Sequence, residues 1–134
     1  MGSFSHWPFQ QAVYQALTGD ASLMALVSNV YDRVPENAVF PYVTIGDAVG
    51  RDWSTTTSAG MEYRLALQLF SRGGGRKQAA GIMERLYAVL HDATLTVTGQ
   101  TLVLLRYESS AIRLEDDGVT HRGVFVLRAL IESD

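Results

Sequence analysis

The chain has 134 residues, 47% hydrophobic and 19% charged, which is enough apolar material for one core and too little length for two ordinary domains. Lys and Arg number 11 against 14 Asp and Glu, a formal charge of −3, so the composition offers no basic field of the kind that grips DNA phosphates. The absence of cysteine excludes disulfides, thiolate zinc sites and a cysteine nucleophile, and the expectation is a single domain, 1–134.

At the N-terminus, Met1-Gly2-Ser3-Phe4-Ser5-His6 lacks the basic flank and apolar run of a signal peptide, and His6 stands where an acylation pattern needs Ser or Thr. The apolar stretches fall well short of a membrane span, so synthesis and assembly in the cytoplasm, without a membrane, are expected. From Phe9, the positions Phe9, Val13, Ala16 and Leu17 recur at helical spacing, with Pro8 tolerable in a first turn and Gly19 placed as a left-handed stop. Asp20 can cap a second helix over 21–28, with Leu23, Met24 and Val27 as its inward stripe.

Pro41 then opens a strand over 42–48, rich in β-branched and aromatic residues. Residues 50–60 are polar and aperiodic, with glycine only at their ends, and read as a long mobile loop holding an isolated Trp53. The next strand alternates cleanly: Tyr63, Leu65, Leu67 and Leu69 face one way, Glu62, Arg64 and Gln68 the other. Gly73-Gly74-Gly75 breaks it, and Ala79, Ile82, Met83, Leu86 and Leu90 mark one face of a long amphipathic helix ending near His91. Residues 95–97 and 102–107 read as strands. The last strand spans 119–132 with Phe125, Leu127, Ala129 and Ile131 on one face, and Asp117-Gly118 before it is a hairpin signal. The order predicts an α+β domain, a mostly antiparallel sheet packed against the long helix, with two short N-terminal helices.

The chemistry on offer is thin. Ser71-Arg72-Gly73-Gly74-Gly75-Arg76-Lys77 lies between a strand and a helix, as a phosphate-binding loop does, but lacks the Gly-Lys-Ser/Thr of a P-loop, and a flexible joint explains it better. Glu115, Asp116 and Asp117 cluster at a turn that the hairpin already accounts for. His91 and His121 have no nucleophile or second ligand at motif spacing, so no catalytic residue, metal or cofactor is expected. Trp53 is costly to expose; it either folds back on the subunit or meets a partner.

Six stretches carry a resemblance. Residues 16–27, then Val30-Tyr31-Asp32-Arg33-Val34-Pro35, then Phe40-Pro41-Tyr42-Val43-Thr44-Ile45-Gly46 are similar to the opening of the tail terminator, or tail completion, proteins of tailed phages. Arg51-Asp52-Trp53-Ser54-Thr55, Phe70-Ser71-Arg72-Gly73-Gly74-Gly75-Arg76-Lys77 and Asp117-Gly118-Val119-Thr120-His121-Arg122-Gly123 resemble that family's middle and end, most closely in its alphaproteobacterial gene transfer agent members. The resemblance implies a non-enzymatic subunit that forms a homo-oligomeric ring, commonly a hexamer, at the head-proximal end of the tail tube. Such a ring ends tube growth and docks to a head-closure or adaptor protein, while DNA passes through its lumen without sequence-specific binding. Within that frame, Arg51, Asp52 and Trp53 are candidates for contact with the tube or a neighbouring subunit, and Arg72 and Arg76 either for inter-subunit ion pairs or for solvated surface charge. Neighbours are expected to join through sheet edges, including that of the final strand. A head-tail adaptor or stopper is the alternative in the same class, and a small phosphate- or nucleotide-binding enzyme the alternative outside it.

Overall fold

A computed structural model of the chain describes residues 5–73 and 75–133. Residues 1–4 of the acylation reading, Gly74 of the triple glycine and Asp134 lie outside the described residues. The elements run α1 (His6–Thr18), α2 (Ala21–Met24), β1 (Val30–Tyr31), β2 (Tyr42–Asp52), β3 (Gly60–Ser71), α3 (Gly75–Leu90), β4 (Gln100–Leu114) and β5 (His121–Ser133). The class is α+β. The five strands form one mixed sheet, ordered β1-β2-β3-β5-β4, antiparallel except where β1 runs parallel to β2.

The period-two pattern of β3 decides which face is buried. Tyr63, Leu65, Leu67 and Leu69 are wholly enclosed, and the register places Phe125, Leu127 and Ala129 of β5 beside them on the same face. Ala79, Ile82, Met83, Leu86 and Leu90 of α3 and Phe9, Val13 and Leu17 of α1 complete this core. The other face of the sheet shows Glu62, Arg64, Gln68 and Arg128, all only half-buried. Gly123 sits where β5 meets α3 most tightly: a Cβ there would lie 2.7 Å from Leu69 Cγ and 3.0 Å from Met83 Cε.

Several sequence expectations are corrected. Gly19 is not left-handed; its φ is −83°, and a Cβ there would crowd the Gln15 carbonyl oxygen at 3.0 Å. The second helix stops at Met24, well before residue 28, because the chain is drawn off towards the sheet: the Ser28 amide donates to Pro41 O at 2.8 Å and its hydroxyl to Val39 O. That detour creates β1, whose two residues are too few to leave a periodic signal. β2 continues through Asp52, so the expected long loop shrinks to residues 53–59, closed by the Thr55 amide on Ser58 O at 2.7 Å. Residues 95–97 form no strand, whereas β4 runs unbroken to Leu114 with bulges after Leu102 and Tyr107. Most consequential, the final strand is no edge: β5 is paired on both sides along its length. The Asp117-Gly118 turn is where expected, with Gly118 at φ +75°.

Asp20 ties the N-terminal helices to the rest. Its carboxylate accepts the Leu23 amide at 2.9 Å, capping α2, and takes Arg85 of α3 through Nε at 2.7 Å and Nη2 at 2.9 Å. The Arg85 hydrogen bonds hold its pKa below the usual carboxylate value, with the Leu23 amide adding to the effect and burial opposing it. The stabilisation is therefore present above the unfolded-state pKa and lost as pH falls through the lower folded value. Asp20→Ala is expected to lower the unfolding free energy by about 1 kcal/mol at neutral pH. Urea denaturation at neutral and strongly acidic pH should show the deficit shrinking in acid.

Candidate functional site

The antiparallel register sends the two tight turns to opposite ends of the sheet. Residues 53–59 follow Asp52, which faces Met61, at the end where Gly60 pairs with Glu132. Residues 115–120 sit at the other end, where His121 pairs with Ser71 and Leu114.

At the first end, Trp53 is half-buried and folds back on its own hairpin: its amide donates to Gly60 O at 2.9 Å. Its ring covers Gly60 so closely that a Cβ there would lie 2.8 Å from Trp53 Cε3. Asp52 accepts the Ser54 hydroxyl at 2.7 Å. Arg51 points to the open face, 4.0 Å from Glu62.

At the second end, Arg72 stacks over Phe40 at 4.1 Å and donates to Thr120 Oγ1 at 3.0 Å, with Asp117 at 3.9 Å. Asp117 accepts the Val119 and Thr120 amides and the Thr120 hydroxyl. Those bonds, the hydroxyl's first, hold its pKa down to about 2. Phe40, Tyr42 and Phe70 cluster beside Arg72, with ring centroids 5.2 Å apart in each successive pair. Arg76 is separate: its Nη1 donates to Ile112 O at 3.1 Å. The five sequence-selected residues thus fall into three places, with Arg51, Asp52 and Trp53 together, Arg72 at the opposite end and Arg76 against β4.

Arg76 belongs to a set that sequence reading missed. The outer backbone of β4 would be an open edge, yet the Asp92 amide donates to Leu105 O at 2.9 Å and the Tyr107 amide donates to His91 Nδ1 at 3.1 Å. Together with Arg76 on Ile112, these bonds satisfy part of β4 from α3 and the turn after it, a known way to protect an edge strand. Only the pairing of β4 with α3 in space reveals this, and no local pattern announces it.

The centre of the open face is a second missed feature. Glu62, 13% exposed, accepts Arg128 Nε at 2.6 Å and lies 3.4 Å from Arg64 Nη1, while Arg64 Nε reaches both oxygens of Glu108 at 2.8 and 3.0 Å. The Arg128 hydrogen bond keeps Glu62 below its usual pKa despite partial burial. The described residues contain no group of three or more metal-ligating side chains. An open groove of about 440 Å³ is lined by Trp7, Gln10, Tyr14 and Tyr31 among others. No helix among the described residues is long and apolar enough to cross a membrane.

Comparison with known proteins accords with an assembly role. The family model described as Tail completion protein gp17 matches residues 11–132. Tail completion protein gp17 of Bacillus phage SPP1 is 26% identical over 125 residues, covering 93% of this chain and 92% of that protein. Among solved structures, a chain of the virion of a native gene transfer agent particle aligns with a TM-score of 0.86 and 31% identity, over 92% of this chain and 94% of that one. The structure of bacteriophage SPP1 gp17 aligns with a TM-score of 0.64 and 22% identity, over 94% of each chain, a likeness of fold.

Glu62→Gln would weaken the carboxylate's hold on Arg128 and leave Arg51 and Arg128 without a carboxylate partner, at an expected cost of about 1–3 kcal/mol. Since the folded pKa of Glu62 is depressed, its contribution is present above the unfolded value of about 4.3 and fades as pH falls below it. Thermal melts across acid pH should show wild type and variant converging.

Proposed function

The chain belongs to the tail completion protein gp17 family, whose members are structural tail proteins and not enzymes, and we propose that it is the ring subunit that terminates the tail tube of a phage-like particle. The carrying observation is the gene transfer agent virion chain, alike over nearly the whole length of both at 31% identity. In this reading the 134 residues act as one domain, six copies close a ring on the head-proximal end of the tube, and DNA crosses the lumen. Synthesis takes place in the cytoplasm, and the partners are the tail tube protein and a head-closure or adaptor protein.

Elementary geometry supports the ring. A compact chain of this length is a globule about 36 Å across. Six equal globules in a circle enclose a hole as wide as one of them, room for a duplex. Six copies at −3 carry −18 in all, which disfavours tight adhesion to phosphates. The Trp53 hairpin tip supplies an aromatic contact for the tube or a neighbour.

Two measurements test this. Particles lacking the gene should carry tails of uncontrolled, excess length in electron micrographs; normal tails on leaking heads would assign the chain to head closure instead. Trp53→Ala should shift the melting temperature by only a few degrees, because the ring is half-exposed, while sharply reducing particle yield. A variant that fails to fold would make Trp53 a core residue and remove it from the interface.

A further inference from the structure

The two margins of the sheet are finished differently. On β4, Leu105 O takes the Asp92 amide, the Tyr107 amide is held by His91 Nδ1, and Ile112 O takes Arg76. β2 has no such cover. β1 pairs with Val43 and Thr44 only, so the stretch from Ala48 to Asp52 has β3 on one side and no strand on the other. The register says which groups this leaves bare. Trp53 follows the Asp52 and Met61 pair, and its amide donates to Gly60 O, so it is hydrogen-bonded across to β3. Such residues alternate along an antiparallel ladder, which makes Arg51 and Val49 bonded as well and turns the N–H and C=O groups of Ala48, Gly50 and Asp52 outward. Among the described residues these outward groups have no hydrogen-bond partner.

An approaching chain can reach them. Ala48, Val49, Arg51 and Asp52 are all exposed, Val49 at 58%. On the core side, α1 runs alongside: a Cβ on Gly50 would lie 3.1 Å from His6 Nε2, and the next residue, Trp7, is exposed and lines the 440 Å³ groove with Tyr14 and Tyr31.

We propose that the β2 margin from Ala48 to Asp52 receives an extended segment of a different polypeptide of the particle, added as one more strand of the sheet. The proposal rests on assembly into a particle and not on the number of copies in a ring. What lies bare here is main chain, with donors and acceptors repeating at strand spacing, and extended main chain is what matches it. A nucleic acid carries no such ladder. A second copy has no strand to lend among the described residues, since all five lie in the sheet and the other margin, β4, already spends backbone groups of Leu105, Tyr107 and Ile112 within the chain. The side chains of the margin describe the guest. Arg51, 4.0 Å from Glu62, faces the open side, whereas Asp52 pairs with Met61 on the core side and holds only the Ser54 hydroxyl. Charges of opposite sign on opposite faces turn away an arbitrary strand and admit one with an acidic residue across from Arg51, a basic one across from Asp52 and an apolar one across from Val49.

Amide hydrogen exchange, read residue by residue on the full-length chain free and within purified particles, tests this. In the free chain the amides of Ala48, Gly50 and Asp52 should exchange about tenfold or more faster than those of Val49 and Arg51, and in the particle they should slow by about tenfold or more. Ala48→Pro and Asp52→Pro each remove an outward N–H that β3 does not use, at edge positions where proline is tolerated. Both variants should melt within a few degrees of wild type yet enter particles about tenfold less often. A photo-crosslinker at Val49 should join the chain, in particles, to a different polypeptide. Outward amides already protected in the free chain, no added protection in the particle, or folded proline variants that assemble normally overturn the proposal; should either variant fail to fold, the exchange measurement on wild type decides alone. A crosslink to a second copy also overturns it and makes the margin a seam between subunits. If the wild-type chain is absent from purified particles, the assembly reading itself falls and the docking site with it.

Discussion

β5 is hydrogen-bonded to β3 on one side and β4 on the other, and only one face of the resulting sheet is covered. A strand so placed tolerates one register. A slip by one residue would turn Phe125, Leu127, Ala129 and Ile131 to the open face and carry Arg122 and Arg128 into a core of leucines, where an unpaired charge is prohibitive. Because that register is fixed, so is every side chain in register with it on the neighbouring strands. The core and the arginine pattern on the open face are therefore two consequences of one pairing.

The charge pattern would otherwise be hard to credit in an acidic chain. Six of the eleven basic residues, Arg51, Arg64, Arg106, Arg113, Arg122 and Arg128, occupy open-face register positions among the described residues, with Glu62, Glu108 and Glu132 as their acidic company. Net charge alone hides this. A formal −3 excludes a uniformly basic surface, but segregation leaves one face cationic and the remainder more acidic than the total implies. Glu62 makes the face tenable. Placed between Arg51, Arg64 and Arg128, it converts an array of like charges into a hydrogen-bonded network at the centre of the sheet.

Legibility followed the strength of local patterns. The alternation of β3, the inward side of β5, the α3 stripe from Ala79 to Leu90, the Asp20 cap and the Asp117-Gly118 turn were all readable because each is decided by neighbours in sequence. Features decided by distant partners were not. Gly50, Arg51 and Asp52 at the end of β2 look like loop because one side of that strand is a margin and the two charged residues are exposed. β4 runs through Ser109 and Ser110 for the same reason. The final strand was expected at an edge, since its apolar alternation is equally compatible with an edge or a central position; only topology separates them. Of the candidate contacts, Arg51, Asp52 and Trp53 do lie together, whereas Arg72 and Arg76 are each held by groups within the chain.

In the ring proposed above, a subunit between a tube and a head would need contacts in two perpendicular senses, around the ring and along its axis. An antiparallel sheet separates them without further machinery. Its margins lie across the strands and its turns lie at the strand ends, so residues that select a lateral neighbour do not compete with residues that select an axial one. Here the two ends differ in chemistry: one offers an aromatic hairpin tip at Trp53, the other the acidic turn of Glu115 and Asp116 beside the Phe40, Tyr42 and Phe70 cluster. Polarity along the axis is thus built into a single chain. In the proposed ring, copies oriented alike about its axis would point all their Trp53 tips in one direction and so present a different surface to each partner.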